Sequence, residues 1–462
     1  MVSERRRFLE NRRPHARRLE RGPMHEAPDH ATPTAAAATA AVAASAPSAA
    51  AAPLAACAAS SPNAAPAQGA ACVAPAPDPA PAQNAACAAS SPDAAAPEEL
   101  FFHSRDGRTR IHALVWEPVP SSLHGGCPRG VVQIVHGMCE HVGRYDGFAR
   151  FLAARGFAVC GEDHLGHGGS AADPRAFGDL PPREGKDILI SDVDALRRLA
   201  QQRFGAEVPF FLFGHSMGSF IVRAYLARPL AAGLAGAVIC GTGQQPRALS
   251  AAGNLLARAI GRARGTGHRS AFIDGLGAGA YGKRIPNART PFDWLSTDPA
   301  VVDAYLSDER CGFMFTVGGY AALTDLTGEI ADPACVARVP RDLPLLFIAG
   351  AEDPVGDDGK GVDAAVAALR AAGVERIDEI LYPGMRHEVL NEPGRAQVMN
   401  DVAAWIEARL AASAAPCEPA QPHRRLPHQP QQRRQQPAAA PATAARQQPA
   451  AASASSPAKK GE

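Results

Sequence analysis

The chain has 462 residues, with 47 basic and 46 acidic side chains and a net charge of +1, a balance that gives no basic face for nucleic acid. Residues 1–97 and 412–462 are rich in Ala, Pro, Ser, Gln and Arg and nearly free of aromatics, too poor in apolar surface to offset the entropy of ordering. Composition therefore leaves 98–411, mildly acidic, as one α/β domain between a disordered N-terminal segment and a disordered basic tail.

The N-terminal segment repeats itself after 30 residues, Ala55-Ala56-Cys57 returning as Ala85-Ala86-Cys87, without an apolar face that could stack as a solenoid. No run approaches the ~20 apolar residues of a membrane span. The expected location is the cytoplasm; export with a lipid anchor on Cys57 is the alternative, disfavoured because no compact apolar segment precedes that cysteine. Ten cysteines show neither metal-ligand spacing nor a disulfide framework and read as reduced thiols. The Arg-rich ends are read as solvated, with weak contact to an anionic membrane surface as the alternative.

Within the body, residues 100–116 predict a hairpin around Asp106-Gly107. Val131–Val135 is a short buried strand ending at His136-Gly137. A helix over 145–155 stops at Gly156, and Phe157–Gly161 is the next strand. A helix over 186–204 leads into the apolar run Phe210–Phe213. Strands follow at 235–240, 345–349 and 377–382, with a last helix over 396–410. An antiparallel start followed by β/α alternation predicts a mostly parallel twisted sheet with helices on both faces. Residues 242–340 break that rhythm with scattered aromatics and read as an inserted, mainly helical cap.

The chemistry concentrates after the 210–213 strand. Gly214-His215-Ser216-Met217-Gly218 matches G-x-S-x-G and is followed at once by a helical pattern from Phe220. Such a turn needs its glycines and lifts the Ser216 hydroxyl to a helix N-terminus, where partial positive charge favours a developing anion. A serine needs a base, and the base an orienting carboxylate. Asp353 and His387 follow two later strands in the order Ser…Asp…His. Glu352 and Asp357 rival Asp353, and Glu388 is read as solvated. His215 is expected to pack or tune the turn, pointing away from the reaction. The expected oxyanion donors are the backbone N–H groups of Met217 and, after the 131–135 strand, Met138. His124-Gly125-Gly126 resembles an oxyanion motif but precedes a strand. Glu162, Asp163, His164 and His167 could suggest a metal site; their glycine-rich surroundings favour loop-bracing hydrogen bonds instead.

These residues resemble the α/β-hydrolase superfamily, in particular its monoacylglycerol lipase and lysophospholipase-like branch, often grouped with serine aminopeptidase-like hydrolases. The resemblance covers most of 100–410 and rests on the stretches 136–145, 163–170, 214–218, 292–296, 311–313, 353–356 and 382–388. It implies Ser216, Asp353 and His387 as a catalytic triad, the amides of Met138 and Met217 as the oxyanion hole, a lipid ester as substrate, a mobile cap, and no metal or organic cofactor. Ser219 stands where a further glycine is common, a small change. The alternatives are an aminopeptidase or thioesterase of the same fold, and a non-catalytic scaffold. An aminopeptidase would gather Asp293, Asp298, Asp303 or Asp308 around a substrate amine. Neither chain length, head group nor oligomeric state follows from the sequence.

Overall fold

The apolar runs pair into one eight-stranded sheet in a computed structural model that describes residues 96–123 and 126–412. β1 (Glu98–His103) and β2 (Arg110–Trp116) form the antiparallel hairpin. At its turn Gly107 has φ +72°, and the Asp106 carboxylate accepts from the Arg108 and Thr109 N–H groups at 2.7 and 2.8 Å. β3 (Gly130–Val135), α1 (Asp146–Ala153), β4 (Phe157–Glu162), α2 (Gly185–Phe204), β5 (Phe210–His215), α3 (Met217–Leu226) and β6 (Leu234–Cys240) follow. After an insertion come β7 (Leu345–Gly350), one helix, β8 (Ile377–Tyr382) and a last helix. The sheet order is β1-β2-β4-β3-β5-β6-β7-β8; β2 is antiparallel to both its neighbours and the other pairs are parallel.

Alternation along these strands separates two cores. Val131, Phe210, Leu212, Ile239 and Phe347 face α2 and α3, whereas Val132, Phe211, Phe213, Val238 and Ile348 face Phe148 and Leu152 of α1. Burial of both faces explains why the central strands read as unbroken apolar runs.

Five α-helices and a 3-10 helix (Ala278–Arg284) fill the insertion between β6 and β7: the α-helices are α4 (Arg247–Arg264), α5 (Ala271–Leu276), α6 (Pro299–Ser307), α7 (Val317–Ile330) and α8 (Pro333–Val336). α4 packs on α7, with Arg258 paired to Asp325 at 2.6 Å and the Asn254 amide donating to the Ala321 carbonyl at 2.8 Å. α9 (Lys360–Ala371) goes beyond the sequence expectation, which left that stretch unassigned; Val362, Ala365, Val366 and Leu369 form its buried stripe. α10 (Arg395–Ala412) closes the domain by placing Val398, Val402 and Ile406 on the α1 side. No helix among the described residues is long and apolar enough to cross a membrane. The low-complexity ends, the repeat with Cys57, and His124-Gly125 lie outside the described residues.

Candidate active site

β5 runs fully buried into Ser216, whose backbone sits at φ 52°, ψ −120°. For a residue with a side chain this conformation costs about 1–3 kcal/mol and persists only where its surroundings over-determine it. The Ser216 N–H donates to the Cys240 carbonyl at 2.9 Å, and the Ser216 carbonyl accepts from the Ser219 N–H at 2.9 Å and the Ser219 hydroxyl at 2.5 Å. A Cβ on Gly214 would lie 2.6 Å from the Gly218 carbonyl oxygen, and one on Gly218 would overlap the Val135 carbonyl oxygen. The two glycines therefore let β5, α3 and the end of β3 close on one another. Ser216 remains partly exposed at the start of α3.

Asp353 and His387 come from the loops after β7 and β8, two parallel neighbours whose carboxyl ends lie at one edge. Their side chains meet, with His387 Nδ1 2.9 Å from Asp353 Oδ2, and both residues are buried. Asp353 Oδ1 accepts from the Val355 N–H at 2.9 Å. Burial lowers the proton affinity of His387, but the charge and hydrogen bond of Asp353 outweigh it and leave the imidazole pKa above its usual value. Of the rival carboxylates, Glu352 is exposed, and Asp357 is exposed and paired with Arg284 at 3.0 Å.

His215 differs from expectation. Its ring does not point away: it lies 4.7 Å from the His387 ring, and both imidazoles crowd the vacant Cβ position of Gly241 at 3.1–3.2 Å. Since His215 precedes Ser216, this contact brings the turn after β5 and the loop of His387 together. Burial, then the neighbouring His387, lowers the His215 pKa to about 4, so it is neutral at ordinary pH. On the other flank a Cβ on Gly137 would fall 3.1 Å from Ser216 Cβ, so the loop after β3 lies against Ser216. Met138 is the next residue of that loop, and Met217 is the first of α3.

Glu388 corrects the sequence reading. It is buried, not solvated, and takes a bidentate pair from Arg144 at 2.6 and 2.7 Å. Arg144 also reaches Glu140 at 2.7 Å, and Glu140 accepts from the Gly137 N–H at 2.5 Å and the Tyr145 hydroxyl at 2.8 Å. The Arg144 guanidinium lies 4.9 Å from the ring centroid of Tyr305, whose hydroxyl donates to the Cys139 carbonyl at 2.9 Å. Cys139 is itself held at φ 58°. One cation thus joins the loop beside Ser216, the loop of His387 and the insertion. These partners are 4 and 244 residues apart in sequence, so only the acid neighbouring His387 gave any hint of them.

The suggested metal residues brace loops instead. Asp163 accepts from the Val142 and Gly169 N–H groups at 2.8 and 2.7 Å and lies 2.8 Å from His112 Nδ1. The His164 N–H donates to His136 Nε2 at 3.0 Å. Burial holds His164 near pKa 3 and His167 near 4. The acidic residues of the insertion do not converge. Asp298 caps α6, Asp303 pairs with Arg289, Asp293 binds Thr290, and Asp308 binds His141 and Arg310.

The chain matches the family described as serine aminopeptidase, S33 (Hydrolase_4) over residues 126–394. It is 32% identical to a monoacylglycerol lipase of Mycolicibacterium smegmatis, over 66% of this chain and 95% of that one. It is 27% identical to the mouse monoglyceride lipase, over 66% and 89%. Among solved structures, a thermostable carboxyl esterase from Bacillus coagulans in complex with glycerol is 31% identical, with a TM-score of 0.62 over 68% of this chain and 99% of the esterase.

Proposed function

The chain belongs to the serine aminopeptidase, S33 family of α/β-hydrolases, and from that premise we propose that it hydrolyses fatty-acid esters of the monoacylglycerol or lysophospholipid kind in the cytoplasm. One observation carries this reading: Ser216 stands on a strained turn, and the buried Asp353–His387 pair is packed against the residue before it. Ser216 attacks the ester carbonyl while His387 takes its proton; Asp353 fixes the imidazole tautomer and stabilises the imidazolium. The amides of Met217 and Met138 receive the oxyanion. His387 then protonates the departing alcohol and activates water to release the acid. This chemistry asks for no cofactor.

An apolar substrate is supported by the wall beside the base. The Trp294 ring is 5.0 Å from that of His387 and packs with Leu295, Tyr305 and Val355, near Phe220, Tyr281 and Phe292. We read the insertion as a cap that lines the acyl path and makes weak contact with a lipid surface. The separate engagement of Asp293, Asp298, Asp303 and Asp308 speaks against an amine-binding aminopeptidase. A panel of monoacylglycerols, lysophospholipids, short esters, thioesters and aminoacyl amides tests the reading, with Ser216→Ala as the blank. Turnover of the long-chain esters, lost in the folded Ser216→Ala variant, is the expected result. Retained turnover in that variant, or preference for the amides, overturns it.

A further inference from the structure

A second group of reactive side chains lies where the loop after β3 meets the insertion. His141, Asp308 and Cys311 each offer one ligand atom, and those atoms all lie within 4.8 Å of one another. His141 Nε2 is 2.9 Å from Asp308 Oδ2, and Cys311 is a free, buried thiol. Imidazole, carboxylate and thiol together form a donor set suited to a borderline-soft divalent ion. We propose that His141, Asp308 and Cys311 form a zinc-type cation site, completed by water, that staples the insertion to the loop beside Ser216.

Geometry and charge both favour it. Tetrahedral zinc with bonds of about 2.0–2.3 Å holds its ligands about 3.3–3.8 Å apart, so the His141–Asp308 pair opens slightly and the sulfur moves in by at most about an ångström. Arg310 now shares the Asp308 carboxylate, but its side chain is 52% exposed and free to release it. The charged groups facing the cluster are Glu140, Asp163, Glu388 and Asp308 against Arg144 and Arg310, an excess of negative charge. The ion takes the Cys311 sulfur as thiolate, its proton passing to solvent, and the Nε2 lone pair of His141 in the tautomer that carries its proton on Nδ1. Each bound ion displaces the thiol proton, so binding strengthens as pH rises.

Binding does not depend on the ester-hydrolase reading, and its test uses no turnover. Chelator-treated full-length protein is titrated with Co2+ and then Zn2+. A thiolate-to-cobalt absorption band that Zn2+ abolishes is expected in the unaltered chain. Cys311→Ser should abolish the band, and Asp308→Asn and His141→Gln should weaken binding about 100-fold, at the upper end of what even outer-shell changes cost. Zn2+ should raise the melting temperature of the unaltered chain and not that of Cys311→Ser. Cys57, Cys72, Cys87 and Cys417 are present in both and cancel. Absence of the band, or its persistence in Cys311→Ser, overturns the site. If Cys311→Ser does not fold, Asp308→Asn and His141→Gln decide, and unchanged affinity in both has the same consequence.

Discussion

Two opposed influences act on the proton of His387: burial, which disfavours the imidazolium, and Asp353, which favours it and prevails. A general base must be deprotonated to act, so kcat/KM should fall as pH drops through a value above the ordinary ~6.5 of histidine. Asp353→Asn should lower kcat about 10⁴-fold, because the tautomer is no longer fixed, and should move the acid limb to lower pH. An unchanged limb in that variant would remove Asp353 from the role. Glu162 presents the reverse case. Burial raises its carboxyl to about 8, its Oε1 has no hydrogen-bond partner, and that oxygen lies 3.6 Å from His164 Nδ1. The folded state holds this proton from the unfolded pKa near 4.5 up to about 8, so stability is lost as pH rises across that window. Glu162→Gln removes the titration and gives His164 a donor. It should stabilise the fold at pH 8 by about 1–3 kcal/mol relative to the parent, read by urea denaturation, and much less at pH 5. The sequence pointed to Ser216 because an elbow is local, and to Asp353 and His387 because each follows a strand end; the latter two meet at 2.9 Å. It did not show that Glu388 is buried, since burial there depends on a cation from a distant loop.

At the scale of elements, the parallel strands were legible as apolar runs because both their faces are covered, while their neighbours in the sheet followed only from the fold. The helix Lys360–Ala371 was hidden by its opening, where Gly359 at φ 91° and Gly361 interrupt a small-residue pattern. The loop between β3 and α1 shows most clearly how elements are held together. Arg144 neutralises two buried carboxylates on separate segments and lies against Tyr305. Its own pKa is raised, burial being outweighed by Glu388 and Glu140. Arg144→Ala leaves both acids buried without a cation and should cost about 3–5 kcal/mol. Arg144→Lys restores charge without the bidentate fork and should recover part of that loss. Equilibrium denaturation of the two variants measures it. Equal stability of parent and Arg144→Ala would mean that Glu140 and Glu388 take protons or water at no cost.

At the scale of the whole molecule, the chain leaves the sheet after β6 and returns at β7, and the helices between carry most of the exposed large apolar side chains among the described residues. Leu249 and Leu255 on α4, Phe272 and Leu276 on α5, and Leu306 on α6 are 45–68% exposed, whereas the described hydrolase body contributes only Phe101 among large apolar residues of this kind. Arg247, Arg262 and Arg264 are exposed on α4 as well. The aromatics at 292–305 were visible in the sequence without a single period, because they meet as a cluster around Trp294 and not along one helix. A lipid ester must leave an aggregate to be hydrolysed, and exposed apolar and cationic side chains lower the cost of contact with such a surface. Leu255→Ser combined with Phe272→Ser should therefore weaken sedimentation with anionic phospholipid vesicles. The same change should slow hydrolysis of emulsified long-chain monoacylglycerol several-fold while leaving a dissolved short-chain ester within about twofold, since neither side chain contributes to the Ser216–Asp353–His387 geometry. An equal loss on both substrates would assign these side chains to folding of the insertion. No loss on either would leave the exposed face without a part in substrate capture.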